Sequence, residues 1–358
     1  MAKYFTPLLF CCCSIFILSS CDTSIKKLFA EKTAREKYLG RLKKISSQNA
    51  AAWESNAIFA LKNPLNVAAP YAETGYFSGN FNDAVAFKFK AKAGQRVNVK
   101  LTNTGNKSLT SFTDLWDATD TAFGQLLESA DTLLNEITHS SIQDKNYILR
   151  VQPAAGDSGH FELMITLEPM LSYPIAVGVK NNIGSFWGAG REGGARSHEG
   201  IDIFAARGSI AVAVADGYIS RTGETNLGGK VVWLRPVKQP ISIYYAHLDS
   251  QLVSPGQYVK VGDPVGFVGN TGNAKSTPAH LHFGVYGRTG AVNPLAFVQP
   301  VPGPKKPKTS VLNERYIAGP GTRFHKSPVK ENSFKLPGAD TVRAEAVTGD
   351  FYRILLPD

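Results

Sequence analysis

The sequence predicts a mainly β, multi-domain protein built on antiparallel sheets, with one helical segment near its start. Three observations predict it. Apolar and polar residues alternate with period two through several stretches beyond residue 63, the pattern of half-buried strands. Turn signals such as Ala93-Gly94, Thr104-Gly105-Asn106 and Gly156-Asp157-Ser158-Gly159 separate these stretches, as an antiparallel sandwich requires. Only residues 24–62 space their apolar side chains as a helix does, and 358 residues leave room for two or three cores.

In chain order, Lys3 precedes an apolar run over residues 8–18, too short to span a bilayer as a mature helix but right for a signal-peptide core. It ends in Leu18-Ser19-Ser20-Cys21, which resembles the bacterial lipobox, where cleavage precedes a cysteine that is then acylated. The resemblance implies a leader over residues 1–20 and a membrane anchor of lipid at Cys21, several acyl chains being needed because each buried methylene adds only about 0.8 kcal/mol. All four cysteines, Cys11, Cys12, Cys13 and Cys21, lie in or beside this leader. The mature chain is therefore expected to carry no free thiol or disulfide, and a cysteine nucleophile or cysteine-held zinc is excluded.

Residues 21–63 follow as a basic helical segment, with Lys26, Lys27, Lys32, Arg35, Lys37, Arg41, Lys43 and Lys44 interleaved with Leu28, Phe29, Leu39, Leu42 and Ile45. Such a segment either lies on an anionic membrane or packs its apolar stripe on the next domain. Residues 64–168 form the expected β-sandwich: Phe87 and Phe89 alternate with Lys88 and Lys90, Val97, Val99 and Leu101 with Asn98 and Lys100, and Phe161, Leu163, Ile165 and Leu167 with Glu162, Thr166 and Glu168. No chemistry is visible there, and His139 and His160 read as isolated surface residues. Residues 169–299 are rich in Gly and in short β-branched runs, which predicts a second, mainly antiparallel sheet. Residues 300–310, rich in Pro and Lys, read as a stiff, solvated linker. Residues 311–358, with Gly319-Pro320-Gly321-Thr322 and Tyr352-Arg353-Ile354-Leu355-Leu356, resemble a bacterial SH3-like module, a small barrel.

The candidate chemistry lies in the second sheet. His280 and His282 are two apart, so in a strand their imidazoles face the same way about 6 to 7 Å from each other. One can hold a metal while the other serves as proton carrier. His198 and Asp202 add an imidazole and a carboxylate, donors that suit zinc. Three protein ligands around a tetrahedral ion leave a fourth position open, as in catalytic rather than structural sites. Of seven histidines, the four that fall between residues 170 and 300 all sit in His198-Glu199-Gly200-Ile201-Asp202, Tyr245-Ala246-His247-Leu248 and His280-Leu281-His282.

These segments, with Gly194-Ala195-Arg196-Ser197 before the first and Gly269-Asn270-Thr271-Gly272 before the last, resemble the lysostaphin/LytM family of zinc endopeptidases, which cut peptide bridges of bacterial peptidoglycan. The resemblance covers about residues 170–300. It implies that His198, Asp202 and His282 hold one zinc ion while His247 and His280 flank the water and the scissile carbonyl. Gly284 departs from the acidic residue more usual in the family at that place, which bears on substrate subsites rather than on the metal. Arg191 and Arg196 are candidates to hold substrate carboxylates as bidentate partners. A LytM-like relative that has lost its ligands would instead regulate cell-wall amidases without cutting, but no ligand is lost here. The formal charge, 39 basic against 29 acidic residues giving +10, suits anionic lipid or acidic cell wall. With an export leader and no alternation of basic and aromatic residues for base stacking, nucleic acid is not an expected partner.

Overall fold

The computed structural model describes residues 31–80, 83–105, 109–119, 124–307, 311–328, 333–335 and 338–355. The leader, Cys21 and the first part of the basic segment lie outside the described residues. Among the described residues no helix is long and apolar enough to cross a membrane.

Two helices open the described chain, α1 (Ala34–Ile45) and α2 (Ser47–Lys62). Thr33 and Glu36 exchange side-chain and backbone hydrogen bonds to start α1, and Ser46 breaks the pair by capping α2, its Oγ accepting from the Asn49 N–H at 3.2 Å. The apolar stripe of the helices packs on the sandwich. Leu39, Leu42, Ala50 and Trp53 share a buried cluster with Phe112 and Ala154, and Trp53 Nε1 donates to the Pro153 carbonyl at 2.8 Å.

Eight antiparallel strands, β1 (Tyr71–Ser78), β2 (Val85–Ala91), β3 (Gln95–Asn103), β4 (Ser111–Asp117), β5 (Gln125–Ser129), β6 (Glu136–Ser140), β7 (Lys145–Pro153) and β8 (Ser158–Pro169), build the sandwich, and the short Leu65–Asn66 strand pairs parallel to β2 at its edge. One sheet runs β2-β7-β4-β5 and the other β1-β8-β3-β6. Phe87, Phe89, Val97, Val99, Leu101, Phe161, Leu163, Ile165 and Leu167 all point into one core between them, as their alternation requires. β7 is buried along nearly its whole length because the helices cover its outer face.

The second sheet holds β9 (Asn181–Ser185), β10 (Ile201–Ala205), β11 (Gly217–Thr225), β12 (Gly229–Pro236), β13 (Ser242–Gln251), β14 (Pro264–Val268) and β15 (His280–Gly287). Its order is β9-β10-β15-β13-β12-β11, with β14 on the far end of β13, and every pairing is antiparallel. Ile201, Ile203, Ile243, Tyr245, Leu281, Phe283 and Val285 fill its core face. Period two therefore sends Asp202, Tyr244, Ala246, His280, His282 and Tyr286 to the opposite face.

The C-terminal segment contributes β16 (Arg315–Ala318), β17 (Asp340–Thr348) and β18 (Phe351–Leu355). β17 pairs with β1, Thr74 opposite Val347 and Gly75 opposite Ala346, so the sandwich sheet continues into this segment. The junction is tied by Arg353, whose Nη2 donates to Oε1 of the fully buried Glu73 at 3.1 Å, while Tyr71 donates to Oε2 at 2.8 Å.

Candidate metal centre

Strand register assembles the site. Asp202 on β10 stands opposite His282 on β15, and His282 stands opposite Ala246 on β13, one residue before His247. His280 lies two residues before His282 on the same face, its ring 5.2 Å from that of Phe204. His198 comes from the loop preceding β10, fixed because its N–H donates to the Ala189 carbonyl and its carbonyl accepts from Gly188, each at 2.9 Å.

Three donor atoms converge. His198 Nε2, Asp202 Oδ1 and His282 Nδ1 are each 3.0 Å from the other two. Donors on a tetrahedral zinc with bonds of about 2.0–2.1 Å stand roughly 3.3 Å from one another, so this triangle fits one face of that polyhedron. Among the described residues these three form the only group of His, Cys, Asp or Glu able to share one ion in this way. His198 Nδ1–H donates to the Phe186 carbonyl at 2.9 Å, which leaves the Nε2 lone pair able to bind a metal ion. Gly200 is needed for the approach, since a Cβ there would lie 2.5 Å from His282 Cε1.

The other two histidines are held alike. His247 Nδ1–H donates to the Thr271 carbonyl and His280 Nδ1–H to that of Pro278, each at 2.9 Å, so both keep Nε2 as a proton acceptor. Their rings are 5.0 Å apart, and the His247 ring is 5.9 Å from that of His282. His247 adopts φ 60°, the left-handed region that non-glycine residues seldom enter, and its N–H donates to the Gly228 carbonyl at 2.7 Å. The Gly228-Gly229 turn lies against Thr271-Gly272, where a Cβ on Gly229 would stand 2.1 Å from Thr271 Oγ1.

Burial and the neighbouring His280 push the His247 imidazole down to about 4, so it is neutral at neutral pH. Burial also lowers His282. Burial alone would raise the Asp202 carboxyl, but the hydrogen bonds and charges of His198 and His282 outweigh it and hold the group well below the usual carboxylate range.

The five residues line a groove of about 480 Å³. Arg196 lines it as well. Arg191 lines it too and also reaches the donor set: its Nη2 donates to Asp202 Oδ2 at 2.6 Å and to Ser185 Oγ at 2.8 Å. Trp233, Tyr244 and Tyr286 form an aromatic wall that the sequence reading missed, with Trp233 centred 4.5 Å from Tyr244 and 5.1 Å from Tyr286. The alternation that exposes His282 exposes Tyr244 and Tyr286 too, so that signal was present. Gly284 stands opposite Tyr244 on this face, and a Cβ there would lie 3.0 Å from the Tyr286 ring. A larger cavity of about 670 Å³, lined by Tyr316, Phe324 and Tyr352 at the C-terminal end, holds none of these groups.

Residues 196–294 match the Peptidase family M23 model. The L-Ala--D-Glu endopeptidase of Bacillus subtilis is 33% identical over 129 residues, 33% of this chain and 39% of that protein. The murein hydrolase activator NlpD of Salmonella dublin is 34% identical over 108 residues, 30% of this chain and 27% of that protein. The catalytic domain of the antimicrobial peptidase lysostaphin from Staphylococcus simulans is 31% identical in sequence and aligns over 33% of this chain and 91% of its own, with a TM-score of 0.29. The chain thus spans well under half of the curated relatives it matches. It carries a peptidase M23 domain of the LytM/lysostaphin type.

Proposed function

We propose that the chain is a zinc metalloendopeptidase that hydrolyses peptide bonds in peptidoglycan, with His198, Asp202 and His282 as ligands of one zinc ion and His247 and His280 as catalytic residues. The observation that carries this is a complete three-donor face beside two further imidazoles, each with Nδ1–H tied to a backbone carbonyl. Bound there, zinc would supply a Lewis acid and bring the pKa of water to about 7. Amide hydrolysis also needs a proton removed from water and one delivered to the leaving nitrogen. His247 and His280, each with Nε2 free to accept beside the donor set, would serve both transfers, and each becomes a donor once it has accepted. The aromatic wall and Leu227 keep one side of the groove apolar.

The wall substrate is supported by the relatives, an endopeptidase and a murein hydrolase activator. We further infer an exported protein with a lipid anchor at Cys21, and wall contact by the SH3-like segment. The domain boundaries given above belong to the same proposal. The second reading, a non-cutting activator, draws on the NlpD relative; the complete donor set favours the enzyme. Purified chain from Asp22 onward, incubated with isolated peptidoglycan and analysed by product mass, tests the choice. Released cross-linked peptides are expected; zinc-loaded protein that releases nothing, yet raises the activity of an added amidase, would overturn the enzyme reading.

A further inference from the structure

The geometry points to Arg191 as a positioning residue that orients the metal-ligating carboxylate of Asp202, an inference that rests on the zinc reading above. Arg191 sits on a small hairpin in which Gly190-Arg191 pairs with Arg196-Ser197. The turn between them runs through Gly193 at φ 70° and Gly194 at φ 97°, conformations that suit glycine. The hairpin carries the guanidinium back over β10.

From there one nitrogen, Nη2, reaches two partners on neighbouring strands: Asp202 Oδ2 at 2.6 Å and Ser185 Oγ at 2.8 Å. Ser185 and Asp202 are themselves cross-strand partners. With Oδ2 engaged, only Oδ1 faces His198 Nε2 and His282 Nδ1, so the carboxylate is presented as a single-oxygen donor. The short segment 185–191 thus supplies the outer contacts of two ligands at once, since the Phe186 carbonyl holds His198. Asp202 is 6% exposed, and without Arg191 its second oxygen would be buried with no charged partner.

Two effects compete when a cation binds. The guanidinium charge repels the ion, while its hydrogen bond orients the ligand and offsets the burial of Oδ2. Loss of comparable outer contacts in metal sites costs about 10- to 100-fold in affinity, so orientation is expected to win.

The test compares full-length wild type, Arg191→Met, Arg191→Lys and Ser185→Ala in three measurements. These are zinc affinity by chelator competition, melting of the metal-free proteins, and digestion of purified peptidoglycan at saturating zinc. We expect Arg191→Met to weaken zinc by about 10- to 100-fold with only a modest drop in metal-free melting, because Asp202 Oδ1 keeps His198 and His282 as partners, and excess zinc to restore most of the digestion rate. Arg191→Lys should fall between it and wild type, and Ser185→Ala should lose less. Unchanged or tighter zinc binding in Arg191→Met, with digestion impaired even at saturating zinc, would overturn the inference and make Arg191 a substrate-binding residue. An equally large drop in zinc affinity and metal-free melting for both Arg191 variants would also overturn it, leaving a structural strut. Wild type that binds no zinc would instead remove the zinc reading itself.

Discussion

His247 is neutral in the fold at neutral pH, and that has consequences for activity and for stability. It touches none of the three converging donor atoms, so His247→Gln is expected to keep zinc content near wild type. The same change should lower kcat by about 10²- to 10⁴-fold, the usual range for a lost acid-base group. Its folded pKa of about 4 lies below the ordinary value near 6.5. Between those values the unfolded chain takes up a proton that the fold refuses, so stability rises with pH, is complete above about 6.5 and is lost as pH falls towards 4. Melting of the metal-free protein across that window should therefore be less steep in pH for His247→Gln than for wild type. Gly200 yields a second expectation: Gly200→Ala places a methyl group against the His282 ring and should weaken zinc binding while costing about 1–3 kcal/mol, read by chelator competition and thermal melting. The converging His198, Asp202 and His282 were legible through the family resemblance of their segments, and the shared face of His280 and His282 through their spacing of two. Arg191 was legible as a groove cation but not as a partner of Asp202, because a hairpin rather than a periodic element brings the two together.

At the scale of elements, alternation identified the sandwich strands. Phe87, Phe89, Val97, Val99, Leu101 and the 161–167 series all reach its core because a pleated strand allows their side chains only two directions. The basic helical segment carried two readings, and its described part takes the packed one, with Trp53 wedged against Phe112 and tied to Pro153. The pairing of β17 with β1 was not legible. Edge pairing depends on backbone groups and leaves no residue signature, and the charges that seal it, Glu73 and Arg353, stand far apart in the chain. Glu73→Ala should therefore loosen this junction by about 1–3 kcal/mol, since the Arg353 guanidinium loses one of its two carboxylate partners and keeps Glu345. Amide exchange over residues 340–355 should quicken while exchange in β10 and β15 stays as in wild type.

At the scale of the whole molecule, formal charge and site point to one kind of partner. A chain of formal charge +10 is drawn to an anionic polymer through an attraction that salt screens. Retention on isolated peptidoglycan should fall as ionic strength rises from about 0.05 to 0.5 M, whereas zinc content should not. The sandwich, its helices and the C-terminal strands enclose no second set of converging His, Cys, Asp or Glu donors among the described residues, so the chemistry proposed for the chain rests on residues 196–294. The most direct measurement is the zinc content of the purified chain from Asp22 onward, made together with the masses of products released from isolated peptidoglycan, for wild type and His282→Ala. The account predicts about one zinc per wild-type chain with cross-linked peptides cut at peptide bonds, and neither zinc nor products for His282→Ala. Peptide products from His282→Ala, or a wild-type chain that binds no zinc, would contradict it.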